Sequence, residues 1–403
     1  MSTTQQPVEV MQGPLAGIKV LELAQMIAVP AATHLLASYG AEVIKVEDTE
    51  NGDDLRFYGS QKGGMSGWFA NSNSGKRSIA LDLKQESGKA VLWQLLAQAD
   101  VFIEGFRAGV IERLGFGYDA VCAKHPSIIY CSCSGFGPTG PYASQPVYDP
   151  LIQSLTGWAG IQQQNGMPTL VRGMAADKVG AYTNAQAMMA AIVKRERTGE
   201  GSHVQVNMLA ANLAFTWPDV MMDCTLLDED VNHRPNILGL YRLYSCCDGW
   251  ISIAPGSDRH WQAMCEVLGR DDLWQEERYQ TAAKRAAAMA EWFDVIDNMV
   301  SPFTVEEVVT RLREVEVPVA PVMAPNQVHT DAQIQAAGLL PESEHPVVGR
   351  IRHPKSASVY LGQDIAMSHA PIHGQQSSEI LRETGFSDTE IEQLIADKAV
   401  IQK

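Results

Sequence analysis

Along this chain, short apolar runs of strand length alternate with stretches whose apolar positions recur at helical spacing. GIKVLELA (17–24) reads as a buried strand, Pro30 is placed to open a helix through AATHLLASYG, Gly40 ends it, and AEVIKVE (41–47) is the next strand. A strand–helix–strand unit of this kind implies a right-handed parallel crossover. The pattern repeats as strand RSIALDLK (77–84), helix SGKAVLWQLLAQAD (87–100), strand VFIEGF (101–106), helical segments at 109–116 and 119–126, and strand SIIYCSCSGFG (127–137). We therefore expect an α/β fold with a doubly wound large domain. Ligands of such sheets collect beyond the carboxyl ends of the strands, which marks residues 25–30, 47–53, 105–107 and 135–142.

Past the Gly/Pro-rich loop GFGPTGPYASQP (135–146), periodic structure resumes at VYDPLIQSLTGWAG, and a long small-residue helix, TNAQAMMAAIVKRERTGEG (183–201), closes on basic residues and glycine. SHVQVNMLAANLAFTWPDVMMD (202–223) reads as a strand running into a helix. From Asn232 the character changes: GLYRLYSC and WISIAPG flank Asp248-Gly249, a hairpin signal. Helices follow at 257–268 and 281–299, and another is headed by the capping box Thr304-x-x-Glu307. The chain is long enough for two domains. The pattern predicts a large domain beginning over 1–225, a smaller α+β domain over 226–318, and a mostly irregular segment, 319–403, too long for a free surface loop, that packs on the large domain or on a partner subunit. A second capping box, Ser387-x-x-Glu390, heads a terminal helix, IEQLIADKAVI.

Composition narrows the function classes. A formal net charge of −16 argues against nucleic acid and anionic membranes as partners, although local cations can still hold a small polyanion. The apolar runs stop well short of the roughly 20 residues that span a bilayer, and MSTTQQPVEVMQG has no secretory-signal pattern. We expect a cytoplasmic protein. The seven cysteines form no C-x-x-C, and the ten histidines form no H-E-x-x-H, so buried thiols and no metal are expected. AQMIAVP stands where a dinucleotide-binding chain would carry G-x-G-x-x-G, which removes the main support for a nicotinamide or flavin role.

One acidic residue, Asp177, stands in MPTLVRGMAADKVG at the mouth of the long helix. A carboxylate there can cap the helix, and it can also act as a covalent nucleophile. The residue alone leaves both readings open.

A set of segments bears on that choice: PLAGIKVLELAQMIAVPAATHLLASYGAEVIKVE, GKRSIALDLK, VFIEGFRAGVIERLGF, SGFGPTGPY, VYDPLIQSLTG, the Asp177 stretch with RTGEGSHVQVNMLAA, and PIHGQQSSEILRETGFSDTEIEQL. Their order and spacing resemble the class III CoA-transferases, the family that includes formyl-CoA transferase and carnitine CoA-transferase, nearly end to end. The resemblance implies a Rossmann-like large domain that takes both ends of the chain, so that 319–403 completes it, and a small domain, in an interlocked homodimer with no permanently bound cofactor. It implies CoA transfer from an acyl-CoA co-substrate to a carboxylic acid, with Asp177 as the nucleophile that becomes an acyl anhydride and then an aspartyl-CoA thioester. Asp149 matches an acidic position placed to assist, with a structural helix-start carboxylate as its alternative. The CoA site carried over residue by residue comprises Met26, Ile27 and Ala28, Leu81 and Lys84, Gly105 and Phe106, and Arg113. Lys84 and Arg113 would offer cations to the phosphates and Phe106 an apolar surface.

This chain departs from formyl-CoA transferase at Ile27, Asp48 and Gly105, where that enzyme has Gln, Arg and Asn, and it lacks a glycine run near Asn232 to Leu240. Acyl-CoA racemases of the same superfamily carry a His in a G-H-D motif where this chain has Tyr148, so a two-base racemase loses one base. Racemisation, intramolecular CoA transfer and a non-catalytic acyl-CoA-binding subunit are the competing readings. Arg172 is a candidate to hold a substrate carboxylate, Arg234, Tyr241, Trp158 and Trp217 are candidates to line an acyl site, and the acids exchanged are not encoded in any motif.

Overall fold

The β-branched and leucine-rich runs form the centre of the molecule because they bury side chains on both faces. A computed structural model describes residues 13–164, 166–232, 237–358, 365 and 367–403. The chain divides into one unit of Met1–Leu227 with Leu340–Lys403 and a second of Asp228–Leu339.

In the first unit the elements are β1 (Lys19–Leu23), α1 (Pro30–Ser38), β2 (Glu42–Glu47), β3 (Lys76–Leu81), α2 (Glu86–Leu96), β4 (Val101–Glu104), β5 (Ile129–Ser134), α3 (Asp149–Leu155), α4 (Ala175–Thr198), β6 (Ser202–Asn207) and α5 (Met208–Thr216). The strands lie in the order β6-β5-β4-β1-β2-β3. All these neighbours are parallel, and Val20 of β1 registers with Val43 on one side and Val101 on the other. Strand order reverses between β1 and β4, which opens a crevice at their carboxyl ends.

Alternate residues serve opposite faces. Leu21, Leu23, Ile79 and Phe102 pack with Val91, Leu92 and Leu95 of α2 and with Ile380 and Leu381 from the C-terminal segment. Val20, Val43, Val101 and Ile103 pack on the other side with Leu36 of α1 and with Ala181, Ala185 and Met188 of α4. The small side chains of α4 let that long helix lie close against the sheet.

The terminal segment differs from the sequence expectation. Its helix runs only over Asp388–Ala396, and Val400–Ile401 forms a strand antiparallel to β3, with Val400 opposite Leu81. Lys398 adopts φ 58°, which ends the helix, and the β-branched pair then suits a sheet edge. The stretch read as irregular also holds a hairpin, Glu342–His345 with Gly349–Arg352, and a helix, Ser377–Glu383.

The second unit is α+β. Strands β7 (Tyr244–Ser245), β8 (Trp250–Ile253) and β9 (Val319–Pro321) form an antiparallel sheet. β9 pairs with β8, which is why this unit continues past residue 318 to Leu339. Helices Asp258–Val267, Met289–Val300 and Val305–Glu314 supply Trp261, Ile296 and Val308 to its core. The helix expected over 281–299 is two, Ala282–Ala287 and Met289–Val300, broken at Ala288. Both capping boxes, Thr304 with Glu307 and Ser387 with Glu390, are present. Among the described residues no helix is long and apolar enough to cross a membrane.

The edge strand gives a test of the sheet's closure. Val400 is fully buried against β3, so Val400→Ala is expected to lower the unfolding free energy by about 1–2 kcal/mol. Equilibrium denaturation measures this, and a loss below about 0.5 kcal/mol would place residue 400 outside the core.

Candidate active site

At the carboxyl ends of β1 to β5 lies a cavity of about 860 Å³, within the range usual for small-molecule sites. Its walls come from the segments after the strands: Gln25, Met26 and Ala28 after β1, Asp48 to Asn51 after β2, Lys84 after β3, Gly105 to Arg107 after β4, and Gly135 and Phe136 after β5.

The turn after β1 is held by buried charges. Lys45 Nζ lies 2.6 Å from Glu22 Oε1 and 2.8 Å from Asp53 Oδ2, and Lys76 Nζ lies 2.7 Å from Glu22 Oε2, with every one of these side chains fully buried. The same groups bond the backbone of the turn. Lys45 donates to Ala24 O at 2.9 Å, Lys76 donates to Pro30 O at 2.8 Å, and Asp53 Oδ1 accepts from Met26 N–H at 3.0 Å. Met26 sits at φ 68°, a left-handed conformation costing a non-glycine residue roughly 1–2 kcal/mol. Burial pushes the Glu22 carboxyl up, but Lys45 and Lys76 outweigh it and draw the group down to about 2. A second buried pair, Glu47 with Arg56 at 2.7 Å, adjoins this cluster, and Glu47 also accepts from Asp53 N–H.

Asp177 lies in the first turn of α4, whose N-cap is Met174 at φ 53° with no side-chain cap. The cap comes instead from another helix: Asp149 Oδ1 accepts the Asp177 N–H at 3.0 Å. Gln153 donates to Asp149 and brackets Val171 with two bonds of 2.9 and 3.0 Å, fixing the approach to α4. Asp177 lines the cavity. Burial, and then the charge of Asp149, push it up to about 7. Nearby, Cys133 also lines the cavity, accepts from Asn184 Nδ2 at 3.1 Å, and is pushed by burial up to about 12, so it is a thiol at neutral pH. All seven cysteines are free.

Of the residues carried over for CoA, Met26, Ala28, Leu81, Lys84, Gly105 and Phe106 line the cavity together with Asp177. Ile27 and Arg113 do not. Ile27 turns into a core of Leu55, Met65, Phe69 and Ala370, because the left-handed Met26 rotates the chain between neighbours. Arg113 is exposed on the short helix Val110–Leu114. Asp149 sits behind Asp177 as the cap, and Tyr148 is 61% exposed on the cavity wall. Trp158 and Trp217 lie outside the wall, Arg172 is exposed beside the α4 approach, and Arg234 falls outside the described residues. Tyr241 belongs to the second unit.

The sequence marks the 105–107 segment that holds Arg107 but not the ion cluster. The signal was available: Glu22 and Lys45 are charges inside runs that read as buried strands, and buried charges need partners. Asp48, noted as a departure, accepts the N–H groups of Glu50, Asn51 and Gly52 at 2.8–3.3 Å and so shapes its own loop. Among the described residues no group of His, Cys, Asp and Glu is arranged to hold a metal ion.

Comparison with known proteins identifies the family. The model of CoA-transferase family III matches residues 15–377. A succinate–glutarate CoA-transferase of Agrobacterium fabrum is 32% identical over 384 residues, covering 92% of this chain and 93% of its own. An acetyl-CoA:oxalate CoA-transferase of Acetobacter aceti is 35% identical over 272 residues, 66% of this chain and 70% of its own. The crystal structure of a CAIB/BAIF family protein from Brucella suis matches with a TM-score of 0.82 at 29% identity, over 93% of this chain and 100% of that one. This chain is thus an enzyme, a member of CoA-transferase family III.

Proposed function

We propose that the protein moves CoA from an acyl-CoA donor to a small carboxylic acid, with Asp177 as the covalent nucleophile. The observation that carries this is the state of one carboxylate: Asp177 faces the cavity, accepts no hydrogen bond among the described residues, and is pushed up to about 7 by burial and by Asp149. A helix cap would be bonded to main-chain N–H groups. Asp149 occupies that role here.

The chemistry follows from what a carboxylate can become. An Asp177 oxygen attacks the donor thioester carbonyl, the C–S bond breaks, and CoA leaves as thiolate from a mixed anhydride. The thiolate attacks the aspartyl carbonyl of that anhydride, giving an aspartyl-CoA thioester and releasing the donor acid as carboxylate. The acceptor carboxylate attacks the aspartyl thioester and again expels thiolate. The thiolate takes the acceptor acyl group, and Asp177 returns as a carboxylate. Dividing one exchange into covalent steps lowers each barrier.

The acyl-CoA is a co-substrate in this reading, and no resident cofactor takes part. Met26, Ala28, Leu81, Gly105 and Phe106 offer the wall against which the coenzyme lies, with Lys84 and Arg107 as cations for its phosphates. The succinate, glutarate and oxalate named for relatives support a small carboxylic acid as acceptor. The strand order of the large sheet supports the Rossmann-like description. Exposed apolar side chains on the first unit, Tyr182 and Val193 on α4 and Phe215 and Trp217 at the end of α5, support an interlocked homodimer that covers them. Tyr148 in place of the racemase histidine, and no histidine among the described residues of the wall, favour transfer over α-proton exchange.

Four outcomes are expected. Asp177→Asn should lower transfer at least about 10³-fold and abolish the hydroxylamine-sensitive mass adduct that wild type forms with acyl-CoA; transfer at wild-type rate by this variant would remove Asp177 from the mechanism. The free enzyme's kcat/KM should rise as one proton is lost near pH 7. Asp149→Asn keeps an oxygen for the cap but removes the like charge, so its rising limb should move to lower pH, and an unmoved or higher limb would contradict this electrostatic coupling. Stability should respond oppositely to activity. A raised carboxyl holds its proton in the folded state between its unfolded value of 3.8 and about 7, so folding is penalised increasingly as pH rises through that window. Asp177→Asn should therefore be more stable than wild type at pH 8, on the order of 2 kcal/mol, with little difference at pH 4. Thermal unfolding at both pH values is the measurement, and a variant less stable than wild type at pH 8 would refute it.

A further inference from the structure

We infer that Asp53 is a positioning residue for acyl-CoA binding: its carboxylate fixes the Met26 turn in the conformation that presents Met26 and Ala28 to the coenzyme. This rests on the reading of the cavity as the CoA site.

The carboxylate is placed to act on the backbone and on nothing in the cavity. Asp53 is fully buried although it lies in the cavity wall. Oδ1 accepts two N–H groups, Met26 at 3.0 Å and Leu55 at 2.9 Å, and Oδ2 lies 2.8 Å from Lys45 Nζ. Oδ1 is taken by the two N–H groups, and Oδ2, which accepts no hydrogen bond among the described residues, is buried against the Lys45 ammonium, so this is not a catalytic residue. The Leu55 bond is a local one, the N-cap of the 3₁₀ turn Asp54–Phe57. The Met26 bond is different, because it spans 27 residues to reach a non-glycine residue at φ 68°. Without an acceptor at that point, Met26 has every reason to relax to negative φ, which would swing the next side chains and exchange the inward Ile27 with the outward Ala28. Lys45 holds the neighbouring Ala24 O at 2.9 Å while pairing with Asp53, so the turn and its clamp form one rigid group. Gly52 precedes Asp53 and accepts from Gln25 at 3.3 Å, a second tie between the same two loops.

The proposal separates from a merely structural role through the identity of residue 26. If Asp53 acts by holding a left-handed Met26, its loss should matter less where residue 26 is glycine, which adopts that conformation without strain. The experiment is equilibrium binding of coenzyme A by calorimetry to the full chain, in wild type, Asp53→Ala, Met26→Gly and the double variant, with thermal unfolding of each. Val121→Ala, a buried position outside the cavity wall, is the control for destabilisation alone.

Asp53→Ala is expected to weaken coenzyme A at least about tenfold in the Met26 background, and less than about threefold in the Met26→Gly background. Val121→Ala should bind within about twofold of wild type despite a lowered Tm. Equal cost of Asp53→Ala in both backgrounds overturns the inference, as does unchanged affinity in the single variant. Should Asp53→Ala not fold, the pair Asp53→Leu with Lys45→Met removes both charges together and is read in the same two backgrounds. Wild type that binds no coenzyme A defeats the reading of the cavity itself, an outcome distinct from a wild type that binds and a clamp that does not matter.

Discussion

The site depends on ionised side chains that water does not reach. Glu22, Lys45, Asp53 and Lys76 lie fully buried at the ends of β1, β2 and β3 or in the loop beyond. Desolvating such charges is expensive, and an ion pair in the interior often does no better than apolar residues of the same volume. Stability is therefore a poor explanation for the cluster. Direction is a better one. Apolar packing is non-directional, whereas these groups bond Ala24 O, Met26 N and Pro30 O individually and so specify the path between strand and helix. The four form one chain of pairs, in which removing Lys45 leaves Asp53 without its cation and removing Glu22 leaves Lys76 without its carboxylate.

A related logic resolves a difficulty in the cavity's charge. The chain is acidic and its cavity wall includes Asp48, Asp53 and Asp82, yet the proposed ligand carries phosphates. These carboxylates turn inward onto the backbone: Asp48 onto three N–H groups, Asp53 onto Met26 and Leu55, Asp82 onto Lys84 N–H. Glu104 does the same for Phe106 N–H at 2.9 Å, and burial pushes that group up to about 7. Lys84 points outward, its nearest carboxylate the exposed Glu50 at 3.8 Å. Acidic residues thus build the loops, and cations remain for the phosphates.

How much of this a reader could take from the sequence depends on the range of the interaction. The period of apolar positions in 17–47 and 77–137 is local, and it located the strands, the crossover helices and the loops that meet in the cavity. The terminal KAVI was legible as apolar but not as a strand, since its pairing with Leu81 lies more than 300 positions away. The cluster needed the register of three strands to bring residues 22, 45, 53 and 76 together. Ile27 was carried over as a cavity residue because motif matching transfers neighbours together, and a single positive φ at Met26 separates them. Asp149 was readable as a carboxylate placed to assist or as a structural one at a helix start. That it caps a different helix follows from α4 having Met174, which has no acceptor, at its own N-cap.

The electrostatics of Asp177 bring these threads to the reaction. The start of α4 is a partial positive charge that favours an anion there, and burial with a second carboxylate behind it works against that anion. Burial, and after it the repulsion, outweigh the helix start, which leaves a carboxylate more basic than usual that accepts no hydrogen bond among the described residues. On the proposed pathway the first step removes the unfavourable charge from Asp177, because an anhydride oxygen is neutral, and transfers it to a thiolate that can move away from Asp149. The ground state is thus raised, which shortens the climb to the anhydride, and the free carboxylate returns when the thiolate takes the acyl group from that more reactive anhydride. Had Asp177 capped its own helix, the same N–H groups that stabilise an anion would have lowered its basicity and tied its lone pairs. Placing the cap on Asp149 separates the two duties: one carboxylate is held by the backbone, and the other is left free to react.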